Sequence, residues 1–337
     1  MVKGITNAKL KSAHDANYAP SNALDEGIAI KGYDFENGFD LKKFLASYTT
    51  TGMQATNLGK AIEIVKQMRK DNATIFLSYN SNMVSSGLRE VIAYLVKNKL
   101  VHVLVTTSGG VEEDIMKTIK PFFVGDFEAG GKELRSKGVN RIGNVFVPND
   151  RYIEFEKLMH NFMARMHEEQ KRTGHMHTAS EFIHELGKEV NDENSIYYWA
   201  TKNNIPTFCP ALTDGSIGDM IYFFKQSDKR NADFGIEISE DMVKIVNIAI
   251  NAKKTGIIIL GGGFVKHHVC NANLYRNGAD YAVFVSTETE EGGSDSGARP
   301  DEAVSWGKIK ETGGMVKVFS DATLTFPLIV AGAFAKD

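Results

Sequence analysis

Six short apolar runs recur along the chain, and each ends in a cluster of small, hydroxyl or acidic residues. Unbroken apolar runs of this kind are typical of strands that are buried on both faces, as in a parallel sheet. We therefore predict six buried strands, each followed by polar residues at its carboxyl end. The predicted strands cover residues 74–77, 101–105, 206–209, 257–260, 281–285 and 316–319.

Stretches with helical periodicity lie between the runs. Residues 88–97 form one, and Phe155, Met159, Phe162 and Met166 belong to the apolar stripe of another. Alternating strands and helices predict an α/β fold, with a doubly wound, mostly parallel sheet flanked by helices. Ligands of such folds bind outside the carboxyl ends of the strands. Any single polar cluster is more often a turn or a helix cap, but all six together favour a shared binding site there.

The composition is that of a globular protein. The chain has 337 residues, 42% of them hydrophobic and 24% charged, with a net charge of −3. This weak charge argues against nucleic acid or an anionic membrane as the main partner. No signal peptide is visible, the apolar stretch at residues 326–334 is too short to span a bilayer, and two cysteines cannot build a disulfide framework. We expect a cytoplasmic protein with an N-terminal arm, residues 1–30, and a single domain, residues 31–337.

The glycine triplet at residues 261–263 directly follows a predicted strand. Glycines at this point let the backbone approach a phosphate closely. The spacing is not that of the dinucleotide fingerprint, and a tight turn explains a lone triplet equally well. Other side chains and backbone groups at strand ends could contact a nucleotide, although each is more often an N-cap. These candidates are Asn82, Ser85, Thr107, Gly109, Asp214 and Asp321.

Residues 288–308 combine acidic side chains with an aromatic ring and a lysine. Six acids stand against one arginine, and the glycines and serines between them indicate a loop, which ends where Pro300 predicts a helix start. Acids beside Trp306 and Lys308 suggest a site for a cation, with the ring as a platform. Because the acids lack the spacing of a metal-binding loop, we favour an organic amine and predict no metal. Without the ring and the lysine, an exposed acidic loop would be the simpler interpretation.

A nucleophilic role for Lys308 raises a problem of protonation. A free lysine has a pKa of about 10.4, so roughly one in a few thousand is neutral at pH 7. Nearby carboxylates favour the charged form, whereas burial against Trp306 would have to lower the pKa by about 3 units to free the amine. We favour a second account, in which a bound polycation cancels the carboxylates and primes the lysine only when substrate is present.

Two adjacent histidines, His267 and His268, follow the glycine triplet. One of them could act as a general base, because an unperturbed imidazole titrates near neutral pH. Their spacing to Cys270 matches no standard metal site. Three histidines in the middle of the chain are predicted at the surface, namely His175, His177 and His184.

Taken together, these segments resemble the deoxyhypusine synthase family, from about residue 31 to the end. The matching stretches include residues 81–87, 106–114, 197–200, 210–219, 261–274 and 294–308, of which the last is long and highly specific. The sequence departs from the family pattern at Gly292, where an acid is usual, and at Glu288. The resemblance implies a Rossmann-like catalytic domain that binds NAD.

The family dehydrogenates spermidine and holds its 4-aminobutyl group as an imine on a lysine, which by resemblance is Lys308. The group then passes to one lysine of the translation initiation factor 5A precursor. By the same resemblance, His267 is the base, and the substrate contacts are Glu112, Glu113, Asp219, His267, Gly293, Ser294, Asp295, Glu302 and Trp306. The implied NAD contacts are Ser81, Asn82, Met83, Val84, Ser85, Thr107, Ser108, Gly109, Glu113, Asp214, Gly262, Thr287, Glu288, Asp321 and Ala322.

The resemblance also implies a homotetramer with each active site at a dimer interface, so that some of these residues would come from a neighbouring subunit. Three alternatives stay open. A homospermidine synthase would pass the same group to putrescine, and a plain NAD dehydrogenase would use Lys308 only structurally. A regulatory, non-catalytic paralogue can lose the nucleophile, which makes it the weakest of the three, since Lys308, His267 and Trp306 are all present.

Overall fold

The computed structural model describes residues 4–18 and 27–335. Its centre is a six-stranded sheet in the order β6-β2-β1-β7-β8-β9, in which every neighbouring pair is parallel. All six predicted strands are present, which confirms the α/β fold. They are β1 (Thr74–Tyr79), β2 (Val103–Thr106), β6 (Thr207–Phe208), β7 (Thr255–Leu260), β8 (Ala279–Ser286) and β9 (Ile309–Phe319).

The central strands are buried on both faces, which explains their unbroken apolar runs. Alternate residues of β1 point to opposite sides, so that Leu77 joins one hydrophobic cluster and Phe76 the other. Ile258 and Ile257 divide between the same two clusters. A strand with a single buried face would alternate apolar and polar residues, so the continuous pattern requires helices on both sides.

Helices cover both faces of the sheet. One hydrophobic cluster receives side chains from α3 (Met53–Lys70), α5 (Leu88–Lys97), α6 (Ser108–Ile119), α8 (Asp150–Thr173) and α15 (Ala322–Ala333). The other receives them from α12 (Ser239–Asn251) and α13 (Gly263–Leu274). The predicted helices over residues 88–97 and 155–166 are confirmed. The remaining helices that bear on the site or pack around it are α2 (Leu41–Thr51), α4 (Ser81–Ser85), α9 (Ala179–Lys188), α10 (Ile196–Lys202), α11 (Ser216–Ser227) and α14 (Pro300–Ser305).

A small antiparallel sheet, which the hydrophobic pattern did not predict, lies between α6 and α8. It has the order β3-β5-β4, with β3 (Phe123–Val124), β4 (Val139–Ile142) and β5 (Val145–Pro148), and α7 (Gly131–Ser136) precedes β4. The strands are too short and too exposed to produce a clear apolar run. Gly143 has a φ of +58° at the turn between β4 and β5. The left-handed region suits glycine at this point.

The predicted arm lies partly outside the described residues, which omit its positions 1–3 and 19–26. Within the described part, α1 (Asn7–Asn17) has no buried side chain. The division into an arm and a catalytic domain therefore stays a prediction. Among the described helices, none combines the length and the apolar character that a membrane crossing requires. His177 is buried, so its predicted surface position was wrong, while His175 is exposed.

Candidate active site

The six predicted polar clusters meet at the carboxyl edge of the six-stranded sheet. Two adjoining depressions share Asn80, Asn82 and Gly262, and we call them together the carboxyl-end cleft. Each cluster contributes to the lining, which is the shared site that the sequence pattern favoured. One lining residue from each cluster is Ser81, Thr107, Asp214, Gly261, Ser286 and Asp321.

The backbone around this cleft is arranged for close approach to a ligand. The helices α6 and α13 both begin there, and N–H groups at a helix N-terminus are available to an anion. A Cβ at Gly109 would lie 2.7 Å from the Cβ of Ser81, and one at Gly262 would lie 2.5 Å from the Cα of Ser296. Only glycine fits at these two positions without movement of the neighbours. These features are suited to the phosphates of a nucleotide.

The wall formed by α4 and α6 contains two buried carboxyl groups, those of Glu112 and Glu113. Ser85 Oγ donates a hydrogen bond to Glu113 Oε2. Burial raises the pKa of Glu113 to about 7, and the charge of Glu112 raises it further, while the bond from Ser85 opposes the shift. Glu112 Oε2 accepts from the backbone N–H of Ile217 at 2.8 Å, in the first turn of α11. Glu113 therefore changes charge near neutral pH at the edge of the cleft.

Lys308 lies at the opposite, amino edge of the sheet. Its carbonyl oxygen accepts from the N–H of Ala279, the first residue of β8, at 3.0 Å. The side chain is 9% exposed, and its Nζ lies 5.6 Å from the ring centroid of Trp306, which is itself 65% exposed. The helix that precedes it begins at Pro300, as predicted, and ends before Gly307. The ring thus covers the amine, and the rest of the ring surface is accessible to a ligand.

The acidic loop, residues 287–299, carries predicted contacts for both ligands. Two lysine ammonium groups hold its backbone: Lys266 on α13 and Lys317 on β9. The loop also contacts the glycine triplet, because Ser296 Oγ accepts from the N–H of Gly263 at 2.7 Å. The shape of the loop is therefore fixed by the body of the domain. The carbonyl oxygens that the two lysines meet are those of Glu288, Asp295, Gly297 and Ala298.

Asp295 presents an incomplete hydrogen-bonding environment. Its Oδ2 is buried and finds no partner among the described residues. Burial raises the pKa of the buried Cys270 thiol to about 12, the charge of Asp295 raises it further, and the charges of Lys266 and Lys308 oppose the shift. A buried carboxylate oxygen without a partner is costly. A bound cation would remove that cost.

The other predicted amine contacts are accessible to solvent. His267 is exposed on α13, with its Nδ1 3.1 Å from the amide nitrogen of Asn271. Glu302 is exposed on α14, and Asp219 is exposed in the first turn of α11. The predicted loop contacts Gly293 and Ser294 are also exposed.

A single chain does not bring Lys308 and the carboxyl-end cleft together. β8 separates them by its whole length, about 23 Å for the steps of about 3.3 Å that join its eight residues. Asp219 follows β6, at the sheet edge opposite β9, and five strand spacings amount to roughly 24 Å. A lysine side chain cannot span either distance. The predicted residues thus form two separate groups within one chain.

The sequence model of deoxyhypusine synthase matches residues 43–333, most of the chain. The chain belongs to the deoxyhypusine synthase family. This confirms the resemblance seen in the motifs and the prediction of an enzyme.

Relatives of the deoxyhypusine synthase family match over nearly their whole length. The chain is 53% identical to a Schizosaccharomyces pombe protein named "Probable deoxyhypusine synthase", over 96% of this chain and 99% of that one. It is 50% identical to "Homospermidine synthase 2" of Senecio vernalis, over 97% and 95%. A crystal structure from Entamoeba histolytica, assigned to deoxyhypusine synthase, superposes with a TM-score of 0.67 at 33% identity, over 90% of this chain and 96% of that one.

Most contacts that the deoxyhypusine synthase resemblance implies for NAD line the carboxyl-end cleft. Three of these contacts do not line the cleft but are buried behind it, namely Val84, Ser85 and Ser108. There Ser85 donates its hydrogen bond to Glu113. Asp321 is the N-cap of α15. The N-cap role that its position at a strand end also suggested is therefore correct for one of its two carboxylate oxygens. The lining members are Ser81, Asn82, Met83, Thr107, Gly109, Glu113, Asp214, Gly262, Thr287, Glu288, Asp321 and Ala322.

The sequence prediction missed several residues of this family site. Asn80 and Ser320 line the cleft and directly precede predicted residues. Ser320 already belongs to the polar cluster after the sixth predicted strand, and extending the first cluster by one position would have found Asn80. Phe264 follows the glycine triplet and also lines the cleft. Lys117 and Lys317 meet backbone carbonyls, and no sequence signal distinguishes such lysines from exposed ones.

Proposed function

We propose that this protein is a cytoplasmic deoxyhypusine synthase. It uses NAD to transfer the 4-aminobutyl group of spermidine to one lysine of the translation initiation factor 5A precursor. The observation that carries the proposal is the buried Lys308 under the exposed ring of Trp306, within the region that the family model matches. A structural lysine in a plain dehydrogenase would need neither the ring nor the unpartnered oxygen of Asp295.

The carboxyl-end cleft supports NAD as the cofactor. Two helix N-termini and the glycines suit its phosphates, and the carboxylates of Asp214 and Asp321 suit ribose hydroxyls. Asn82, Thr107 and Thr287 would supply further hydrogen bonds. When bound, NAD provides the hydride acceptor for oxidising an amine carbon and later returns that hydride to the product.

The residues around Lys308 support a polyamine as the substrate. Asp295 and Glu302 would each hold a cationic amine, and the ring of Trp306 would pack on the carbon chain. His267 would take the proton of the secondary amine. The amide nitrogen of Asn271 donates to Nδ1 of this histidine at 3.1 Å, and the contact orients the imidazole ring.

Lys308 would carry the aminobutyl group between donor and acceptor. Oxidation turns the bond between the butyl carbon and the secondary nitrogen into C=N. The neutral Nζ of Lys308 adds to that carbon, and the bond to the original nitrogen breaks, so that 1,3-diaminopropane leaves with the proton that Lys308 loses. The acceptor lysine displaces Lys308 in the same way, and hydride reduction of the new C=N leaves no net consumption of NAD.

A second copy of the chain would complete the site, in a homotetramer with active sites at a dimer interface. Support comes from the separation, within one chain, of Lys308 from both the cleft and Asp219. A symmetric dimer places the same two groups opposite each other twice. Each complete site would then combine the cleft of one subunit with the lysine of its partner.

The test uses the purified protein with spermidine and NAD, and offers either the 5A precursor or putrescine as acceptor. We expect 1,3-diaminopropane in the medium and deoxyhypusine on the precursor, with little product from putrescine. Homospermidine as the main product would instead assign the activity after which the Senecio relative is named. NADH formation without 1,3-diaminopropane would indicate a plain dehydrogenase and contradict the proposal.

A further inference from the structure

Lys117, in the last turn of α6, uses all three donors of its ammonium group on one short segment. Its Nζ lies 2.6 Å from the carbonyl oxygen of Val84, 2.8 Å from that of Ser85 and 3.0 Å from that of Ser86. The ring of Phe122 lies 5.3 Å away and partly covers the charge. A lysine has three donors and no acceptor, so these three carbonyls satisfy it completely. The side chain is thus fully engaged without any ligand.

The segment that Lys117 meets is the carboxyl end of α4. This helix has only five residues, too few to be stable without support from its surroundings. Carbonyl groups in the last turn of a helix have no partners within the helix and carry partial negative charge. An ammonium group at this position donates to these carbonyl oxygens and is attracted by their partial charge. At the other end of α4, the N–H of Ser81 donates to Thr107 Oγ1 at 2.9 Å, so the helix is fixed at both ends.

The same contact connects two walls of the cleft. α4 carries Ser85, and α6 carries Glu113 one turn before Lys117, and the two side chains are hydrogen-bonded. A shift of α4 along α6 would break that bond and move Ser81 and Asn82, which line the cleft. The position of α4 therefore decides the shape of one wall, and Lys117 is the charged group that fixes it.

We propose that Lys117 is a positioning residue for the nucleotide: its ammonium group holds α4 against α6 and so maintains the Ser85–Glu113 pair and the α4 wall of the cleft. This inference rests on the proposed function, because it takes NAD as the ligand of that cleft. Lys117 itself does not line the cleft, so it acts through α4.

The experiment compares Lys117→Met and Lys117→Arg with the wild type. Methionine keeps the apolar stem and removes the charge, whereas arginine keeps the charge but replaces the compact ammonium group with a planar fork that cannot meet three converging carbonyls. The control is Lys120→Met, which removes a lysine of the same helix end that pairs with Asp150 at the surface. The readouts are the dissociation constant of NAD, the KM for spermidine and the melting temperature.

We expect Lys117→Met to weaken NAD binding by about tenfold and Lys117→Arg by a smaller factor, with KM for spermidine changed less than about twofold. Lys120→Met should match the wild type. Adding Ser85→Ala to Lys117→Met should weaken NAD binding little further, because both changes act through α4. If Lys117 had only a structural role, its variants would have lower melting temperatures, and the effects of the Lys117 and Ser85 changes would be independent of each other.

Binding of NAD within about twofold of wild type by both Lys117 variants would overturn the inference while leaving the proposed function intact. If Lys117→Met does not fold, Lys117→Arg alone decides by the same criterion. A wild-type protein that does not bind NAD would remove the proposed function and this inference together.

Discussion

Glu113 is the residue whose ionisation should depend most clearly on the fold. Burial raises its pKa to about 7, from an ordinary value of 4.5, and Glu112 adds to the shift. Folding therefore favours the protonated acid. The stability that this group contributes is fully present below pH 4.5 and is lost as the pH rises through about 7, an effect of about 3 kcal/mol.

Replacing this acid should remove that pH dependence. Without ligands, we expect the melting temperature of Glu113→Gln to exceed that of the wild type by an amount that grows as the pH is raised from 5 to about 8, because glutamine stays neutral. Thermal denaturation at a fixed chain concentration measures the difference. The control is Glu133→Gln, an exposed acid paired with Lys137. A constant difference across this range would show that Glu113 does not titrate there.

Candidate site residues could be named from the sequence, but their spatial grouping could not be predicted. The motif at residues 294–308 identified Trp306 and Lys308 as a pair, and the structure places the ring over the amine. Nothing local to that motif indicates that Lys308 lies at the amino edge of the sheet. That position follows from the pairing of β9 with β8, a contact between distant segments.

At the scale of elements, the acidic loop depends on glycines at close contacts. A Cβ at Gly297 would lie 1.6 Å from the carbonyl oxygen of Thr289, so any side chain there must open the loop. Gly292 faces open space among the described residues and has an ordinary φ. A substitution at Gly292 is therefore the control for a substitution at Gly297 in the same loop.

We expect Gly297→Ala to raise the KM for spermidine at least about tenfold, because an opened loop displaces Asp295. Gly292→Ala should stay within about twofold of the wild type. Steady-state kinetics with both variants measures the effect. Equal kinetics for the two variants would show that the shape of the acidic loop is irrelevant to polyamine binding.

The elements themselves were predictable to the extent that burial produces a pattern. All six strands of the main sheet were found, because five of them have buried apolar runs and the edge strand β9 still buries Val316 and Val318. The small sheet from β3 to β5 was missed, because short exposed strands bury too little apolar surface to leave a pattern. His177 was misplaced because its segment pairs with one that is distant in sequence: its carbonyl oxygen accepts from the N–H of Glu237 at 2.9 Å, and Thr178 forms a β-bridge with the same residue.

At the scale of the whole molecule, the proposed active site is built from two subunits. Lys308 and Asp219 lie in separate groups within one chain, near opposite edges of the sheet. If they act in the same site, they come from different subunits. Two inactive variants should then complement each other, whereas a site within one chain allows no complementation.

We expect mixed subunits of Lys308→Arg and Asp219→Asn to regain activity after dissociation and reassembly. Random pairing gives about half heterodimers, each with one intact site, and so about a quarter of wild-type activity. Each variant reassembled alone is the control and should stay inactive. Mixtures no more active than these controls would place the complete site within a single chain.

The central claim is that the Lys308 amine bonds covalently to the aminobutyl group. The most direct measurement is borohydride reduction of the protein with NAD and spermidine labelled in the butyl carbons, followed by mapping of the labelled peptide. We predict label on Lys308, loss of label in Lys308→Arg, and retained label in the control Lys310→Arg, whose lysine pairs with Asp280 at 2.6 Å. Label on another residue, or full aminobutyl transfer by Lys308→Arg, would contradict the account.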